Sequence, residues 1–392
     1  MKKTKIALLA AFLLAIFLIP VLTAVQCLTE RTGWSDYENR ALASLPDFSA
    51  SAILSGKTAA GIESFLSDHI VSRDAWLRAY TAIALDVRRS PVVNGVAVTK
   101  RALLPATGIA DGEGADCGAE AARMAASLAA VQKAAEDAGG VFLYVGIPEQ
   151  RSALRGDYPD YMENDARKWD AQEAAFSAAM EQASVPLLLM RPVMVQTGGI
   201  AGYYALTDHH YNLRGAYLTY ETVLAALREK GVDAQSVQMD FAALPNPFYG
   251  TYSRKLYGLS PVADSLLTGV YASEPSYARW DNGVRTDAPM QTLPADSASP
   301  VFYGDYMQGD QAETIIQTNR DGLPKLLIVG DSFTNAFETI AWRSFSETRS
   351  LDFRHYTEKT LTQYVADYRP DVVLVLRDDA SYLSFEGNGA LQ

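Results

Sequence analysis

Cysteine is nearly missing: the chain of 392 residues has two, Cys27 and Cys117. They can form at most one disulfide, and no disulfide framework, Cys-x-x-Cys site or cysteine zinc site can be built from them. Histidine is also scarce, at four residues, His69, His209, His210 and His355. Any chemistry that needs an imidazole must draw on one of these. Positive charge is in deficit: 34 Lys and Arg against 46 Asp and Glu give a net charge of -12. Such a surface repels phosphate backbones, which excludes nucleic acid as a partner. No internal repeat is present. With 48% hydrophobic and 20% charged residues, the chain is neither disordered nor wholly embedded in a membrane.

One long apolar run stands at the N-terminus, MKKTKIALLAAFLLAIFLIPVLTAVQC. Lys2, Lys3 and Lys5 precede an uncharged stretch from Ile6 to Val25. About 20 apolar residues suffice to span a bilayer, and lysines ahead of a span favour a cytoplasmic N-terminus. Residues 1–27 are therefore expected to be a membrane anchor, with the bulk of the chain on the extracytoplasmic side of a bacterial-type membrane. A cleaved signal peptide is the alternative. No small-x-small cleavage site follows, however, and Gln26 before Cys27 suits a lipoprotein signal poorly.

Residues 28–105 read as a mixed leader region packing on the main domain, with a helical pattern around residues 61–87 and no catalytic cluster. His69 beside Asp68 reads as a helix-surface or packing pair. From residue 106 to 392 the pattern becomes regular. GAEAARMAASLAAVQKAAEDAGG is an Ala-rich helix stopped by Gly139 and Gly140. VFLYVGIP is a buried strand ended by Pro148. Helices over DARKWDAQEAAFSAAMEQA, LRGAYLTYETVLAALREKG, the segment around AFETIAWRSF and LTQYVADYRPD alternate with strands over VPLLLM, PKLLIVG, SLDFRHY and VVLVLRD. Helices alternating with short, wholly apolar strands mark a parallel sheet covered on both faces, so the fold class is α/β. The alternation lapses over residues 238–315, where Tyr, Ser, Pro and Gly are frequent. This segment reads as an irregular, aromatic-rich insertion with hairpins beside the sheet. Its Tyr249, Tyr252, Tyr257, Tyr277, Trp280, Tyr303 and Tyr306 either stack on sugar faces in a cleft or pack the segment itself.

Two short stretches carry chemistry. Gly330-Asp331-Ser332-Phe333 ends the strand LLIV and opens a helix. The carboxyl ends of strands in open α/β sheets hold the ligand crevice, and a helix N-terminus offers free N–H groups. A serine there is placed to attack, with its own N–H near a developing oxyanion; Asp331 or Ser332 acting only as a helix cap is the plain alternative. A serine hydroxyl also needs a base within reach. Asp208-His209-His210 follows a strand-like YYAL and leads into a helix. In an Asp-x-His loop, the carboxylate can hold the imidazole two positions on in the required tautomer, leaving His209 to point elsewhere. Here the alternatives are an N-cap with two packing histidines, or a metal site. Asn335, one helical turn beyond Ser332, is a candidate oxyanion donor, equally suited to a structural bond. Arg151, after the strand from Val141, either meets a substrate carboxylate or phosphate or is a solvated loop arginine.

Asp-His-His-aromatic followed by Gly-Asp-Ser-Phe resembles the DHHW proteins, which belong with the alginate O-acetyltransferase-like branch of the SGNH hydrolase superfamily. SDYENRALASLPDF (35–48), FLSDHIVSRDAWL (65–77), NGV (94–96), FLYVGIPEQ (142–150) and FYGTYS (248–253) resemble the family's landmarks in the family's order. The resemblance implies an SGNH-like sheet in which the Asp-x-His pair precedes the serine, a permuted order. It implies Ser332 as nucleophile, His210 as base and Asp208 as its orienter, with no metal or organic cofactor. Tyr211 stands where the family has tryptophan, a mild change if the ring only packs.

The expectation is a membrane-anchored, extracytoplasmic O-acetyltransferase acting on a cell-surface or exported polysaccharide. By analogy it would have a multi-span membrane acyltransferase as the partner that delivers acetyl groups. A carbohydrate acetylesterase would use the same residues with water as acceptor. A non-catalytic envelope protein that binds glycan is the alternative from another class.

Overall fold

The computed structural model describes residues 2–29, 33–35, 37, 38, 40–106, 117–162, 164 and 166–391. They form two compact units, Met1–Val96 with Ser253–Pro261, and Ala97–Tyr252 with Val262–Gln392. The first unit holds α1 (Lys2–Thr29), α2 (Lys57–His69) and α3 (Arg73–Ala82). Within α1, residues Thr4–Thr29 are long and apolar enough to cross a membrane. Asp68 is buried at the end of α2, where Arg40 grips both its carboxylate oxygens at 2.7 and 2.6 Å. His69 stacks on Phe65, so the Asp68-His69 pair is structural.

The second unit is built on an eight-stranded sheet. Its strands are β1 (Val141–Ile147), β2 (Leu187–Leu189), β3 (Ala278–Asp281), β4 (Val284–Thr286), β5 (Glu313–Gln317), β6 (Lys325–Gly330), β7 (Glu347–Leu351) and β8 (Val372–Asp378). They lie in the order β4-β3-β5-β7-β6-β8-β1-β2. From β7 to β2 all pairings are parallel, and β5, β3 and β4 extend the sheet antiparallel. The parallel strands are apolar because both faces are covered. Leu143, Val145, Ile328, Leu374 and Leu376 face a core shared with α6 (Leu213–Glu229) and α7 (Ser332–Ala341). Their neighbours Phe142, Tyr144, Leu327, Val373 and Val375 face the opposite core, shared with α4 (Cys117–Asp137), α5 (Ala166–Gln182) and α8 (Leu361–Tyr368). Strict alternation of side chains along a strand divides them this way.

Three expectations change. SLDFRHY is not a strand throughout: β7 starts at Glu347 and ends at Leu351, after which Asp352 turns the chain by accepting the Arg354 N–H at 2.9 Å. YYAL is not a strand either, since Tyr204 makes only an isolated bridge, to Tyr211. The 238–315 segment lies partly in the sheet rather than beside it, contributing β3, β4 and β5. The β3–β4 hairpin closes on Asn282 and Gly283, with φ of 51° and 76°. An Asn-Gly pair takes these left-handed angles readily, which makes it a strong hairpin signal.

Candidate active site

Ser332 is the first residue of α7, at the carboxyl end of β6. The turn before it needs Gly330, because a Cβ there would meet the Thr334 methyl at 2.3 Å and the Leu376 carbonyl at 2.6 Å. Asp331 caps the helix, accepting the Phe333 N–H at 3.0 Å. The cap and the nucleophile candidate are therefore separate residues, and the Ser332 hydroxyl is not used up in capping.

Asp208, His210 and Ser332 form one line of hydrogen bonds. His210 Nδ1 lies 2.6 Å from Asp208 Oδ1, and His210 Nε2 lies 2.8 Å from Ser332 Oγ. An ionised carboxylate can only accept, so Nδ1 carries the proton and Nε2 accepts from the serine hydroxyl. Asp208 and His210 are buried, while Ser332 is partly exposed. Burial pushes the Asp208 carboxyl up, but the adjacent His210 and His209 and the hydrogen bonds it accepts outweigh that, holding it well below the usual carboxylate range.

The loop that presents Asp208 is fixed at several points. Asp264 accepts the N–H groups of Leu206 and Thr207 at 2.6 and 3.0 Å. Gln150 Nε2 donates to the carbonyls of Leu103 and Ala205 at 3.1 and 3.0 Å. The Thr251 N–H donates to Asp208 Oδ2 at 2.7 Å. Gly250 makes that approach possible, since a Cβ there would stand 2.5 Å from the Thr207 carbonyl oxygen and 2.8 Å from Asp208 Cβ. FYGTYS thus serves the site by delivering a backbone donor to the aspartate. Gly250 in FYGTYS and Gln150 in FLYVGIPEQ both lie in stretches that resemble family landmarks, whereas Asp264 carries no signal in the sequence.

The remaining candidates have definite places. His209 packs its ring 3.8 Å from that of His210, with its Nδ1 3.5 Å from Asp208. Tyr211 does more than pack: it is buried, and its hydroxyl donates to the Phe333 carbonyl at 2.5 Å, tying the histidine loop to α7. Asn335 is buried one turn after Ser332, and its amide donates to Asp310 at 2.9 Å. Arg151 lies over the Trp169 ring, 3.8 Å from its centroid, with Nε 2.6 Å from Glu149 Oε2. It is held by that ring and that carboxylate rather than solvated. Of the insertion aromatics, Tyr252, Tyr257, Tyr303 and Tyr306 are buried. Tyr303 stacks flat on the His210 ring, a role that nothing in its sequence context separates from core packing.

A group of carboxylates stands at the same edge of the sheet. Glu149, Asp378 and Asp379 bring their oxygens within 4.8 Å of one another. Burial pushes Glu149 up to about 8, against the pull of Arg151. Burial likewise raises Asp331 and Asp379 to about 6, with Asp378 adding repulsion to each. In the groups containing Asp208, His209 and His210, and Asp310, Asp352 and His355, the carboxylates are already engaged by His210, Asn335 and Arg354.

The family described as "SGNH hydrolase-like domain, acetyltransferase AlgX" matches residues 110–369. No curated protein sequence matches the chain. Among solved structures, PatB1 of Bacillus cereus is similar in fold, with a TM-score of 0.59 at 21% identity over 74% of this chain and 99% of that one. The same protein with a sulfonyl adduct gives 0.59 at 19% identity, over 73% and 94%. A DHHW family protein from Eubacterium siraeum gives 0.51 at 17% identity, over 75% and 93%. The sheet, the order of the two motifs and the span of the match agree: this chain belongs to the family of SGNH hydrolase-like domains typified by the acetyltransferase AlgX.

Proposed function

We propose that this protein is a membrane-anchored, extracytoplasmic O-acetyltransferase acting on a cell-surface or exported polysaccharide. Residues 1–27 are its anchor and residues 106–392 its catalytic domain. The observation that carries the reading is the unbroken Asp208–His210–Ser332 line, at 2.6 and 2.8 Å, on a partly exposed serine at a helix N-terminus. In the first half-reaction, Ser332 Oγ attacks the acetyl carbonyl and its proton passes to His210 Nε2. The imidazolium is held by Asp208 and returns that proton to the departing donor oxygen, leaving an acetyl ester on Ser332. In the second, a sugar hydroxyl loses its proton to Nε2 and attacks the ester, and Ser332 takes the proton back as it leaves. The amino end of α7, with the Ser332 N–H, faces the negative oxygen that develops. A multi-span membrane acyltransferase supplies the acetyl group from the cytoplasmic side.

A sulfonyl fluoride probe and an activated acetyl ester test the chemistry on the full chain. Both should label Ser332, and Ser332→Ala should remove the label and lower turnover by several orders of magnitude. Oligosaccharide acceptors should then raise turnover and become acetylated. Free acetate with every acceptor would make the protein an esterase. Absence of labelling, together with glycan binding retained in Ser332→Ala, would make it a non-catalytic binder.

A further inference from the structure

Helix α3 turns an apolar stripe outward. Trp76, Tyr80, Ile83 and Val87 recur at spacings of four, three and four along α3 and the π-helical turn Ile83–Val87 that continues it. Such spacing places them on one side of a helix. They are 61%, 54%, 49% and 76% exposed. In a water-soluble domain an apolar stripe faces inward, so the pattern is reversed. Ile62 and Leu66, four residues apart on α2, are exposed as well. An exposed apolar stripe such as that on α3 marks an interaction site.

The same unit shows what lies against it. The turn joining α2 to α3 is bonded to α1, the Val71 N–H donating to the Thr23 hydroxyl at 3.1 Å. Thr23 is close to the end of the uncharged run Ile6–Val25. The start of α3 is thereby tethered at the level where the spanning helix leaves the hydrocarbon. The stripe opens with a tryptophan and a tyrosine, the residues that favour the headgroup region. Arg88 and Arg89 follow it, both exposed, as suits long cationic side chains at a membrane surface.

We infer that α3 lies in the membrane interface, with Trp76, Tyr80, Ile83 and Val87 among the outer acyl carbons of the leaflet from which α1 emerges. The inference rests on the reading of α1 as an uncleaved anchor. It assigns the leader region the function of holding the chain at the lipid surface. Apolar contact of that kind adds to a single span and limits how the anchored unit can tilt.

The full chain in lipid nanodiscs provides the test, with Cys27→Ser and Cys117→Ser and a nitroxide placed at Ile83→Cys or, for comparison, at Asp74→Cys. Asp74 is exposed and on the opposite side of α3 from the stripe, two residues before Trp76 at about 100° per residue. The label at position 83 should collide several-fold more with oxygen than with an aqueous nickel complex, and the label at 74 should show the reverse. Bromine near the headgroup end of the acyl chains should quench part of the tryptophan emission, and Trp76→Phe should reduce that quenched part. A position 83 label as open to the nickel complex as that at 74, with Trp76→Phe leaving quenching unchanged, overturns the inference and points to a protein partner on the stripe. Protection that appears only as protein concentration rises overturns it in favour of a second copy. A mature chain found cleaved after the apolar run would instead remove the anchor reading, and this inference with it.

Discussion

The Tyr303 ring lies flat on the His210 imidazole, with 3.8 Å between centroids and 4° between planes. The rings of His209 and Phe333 also pack on it, tilted, at 3.8 and 4.7 Å, so the imidazole is enclosed by aromatic rings while its nitrogens hold Asp208 and Ser332. In acyl transfer the imidazole becomes a cation, and the face of a tyrosine attracts one by about 0.5–2 kcal/mol. Tyr303→Leu should therefore lower kcat about tenfold, leave KM nearly unchanged and leave the fold intact. Tyr303→Phe keeps the ring and should recover most of the rate. Equal losses in the two variants would show that the stacked ring does not matter.

Gly250 holds the back of Asp208. Gly250→Ala would force a methyl carbon to within 2.5 Å of the Thr207 carbonyl oxygen, and neither side of that contact is a flexible side-chain end. The backbone must shift, which typically costs about 1–3 kcal/mol, and the Thr251 N–H leaves Asp208 Oδ2. Activity should fall more than stability does, since in the proposed mechanism the displaced group is the carboxylate that orients His210. Thermal melting and turnover measured on the same preparation decide this: normal turnover in a folded Gly250→Ala variant would dissociate Thr251 from the site.

Tyr211 shows why substitution by a similar ring is not neutral. Its hydroxyl donates to the Phe333 carbonyl at 2.5 Å, and both groups are buried. Tyr211→Phe removes one hydrogen bond, typically worth about 0.5–1.5 kcal/mol. The melting temperature should fall by a few degrees, and kcat should fall as the histidine loop loosens against α7. Tyr211→Trp, which restores the residue usual in the family, should not recover the bond unless the indole N–H finds a new acceptor, because Phe333 offers only its carbonyl.

The parallel sheet was legible because burial on both faces leaves strands such as VVLVLRD and PKLLIVG with almost no polar residue between turn signals. The proximity of Asp208, His210 and Ser332 was legible only through the resemblance, since residues more than a hundred positions apart share no local pattern. The supports were not legible. Asp264 is an ordinary polar residue, and Gln150, though inside the landmark FLYVGIPEQ, shows nothing of its role, which comes from the backbone groups the fold leaves unpaired beside it. The insertion misled for a physical reason. Its strands are short and interrupted by Pro and Gly, as in an irregular segment, yet β5 satisfies the open edge of β7 and so joins the sheet. Within α3 the period was visible, but period alone does not say whether the apolar side faces a core or a membrane.

The carboxylates behind the site make stability depend on pH in a definite direction. Glu149 is pushed up from 4.5 to about 8, mainly by burial, and Asp331 and Asp379 from 3.8 to about 6 for the same reason. An acid whose pKa is higher in the folded chain binds its proton more tightly there than when unfolded. Its contribution is full below the unfolded value and is lost as pH rises through the folded one. Asp331 and Asp379 lose theirs between about pH 4 and 6, whereas Glu149 goes on losing its share until about pH 8. Asp208 acts oppositely, because its folded value is depressed, but only in acid below about pH 4. The melting temperature should therefore decline from about pH 6.5 to about pH 8.5, and Glu149→Gln should flatten that decline by removing the one group of these that titrates there. Melts of wild type and Glu149→Gln at matched ionic strength make the comparison. Parallel curves across that interval would mean that Glu149 already ionises at ordinary carboxylate pH, with Arg151 compensating fully for its burial.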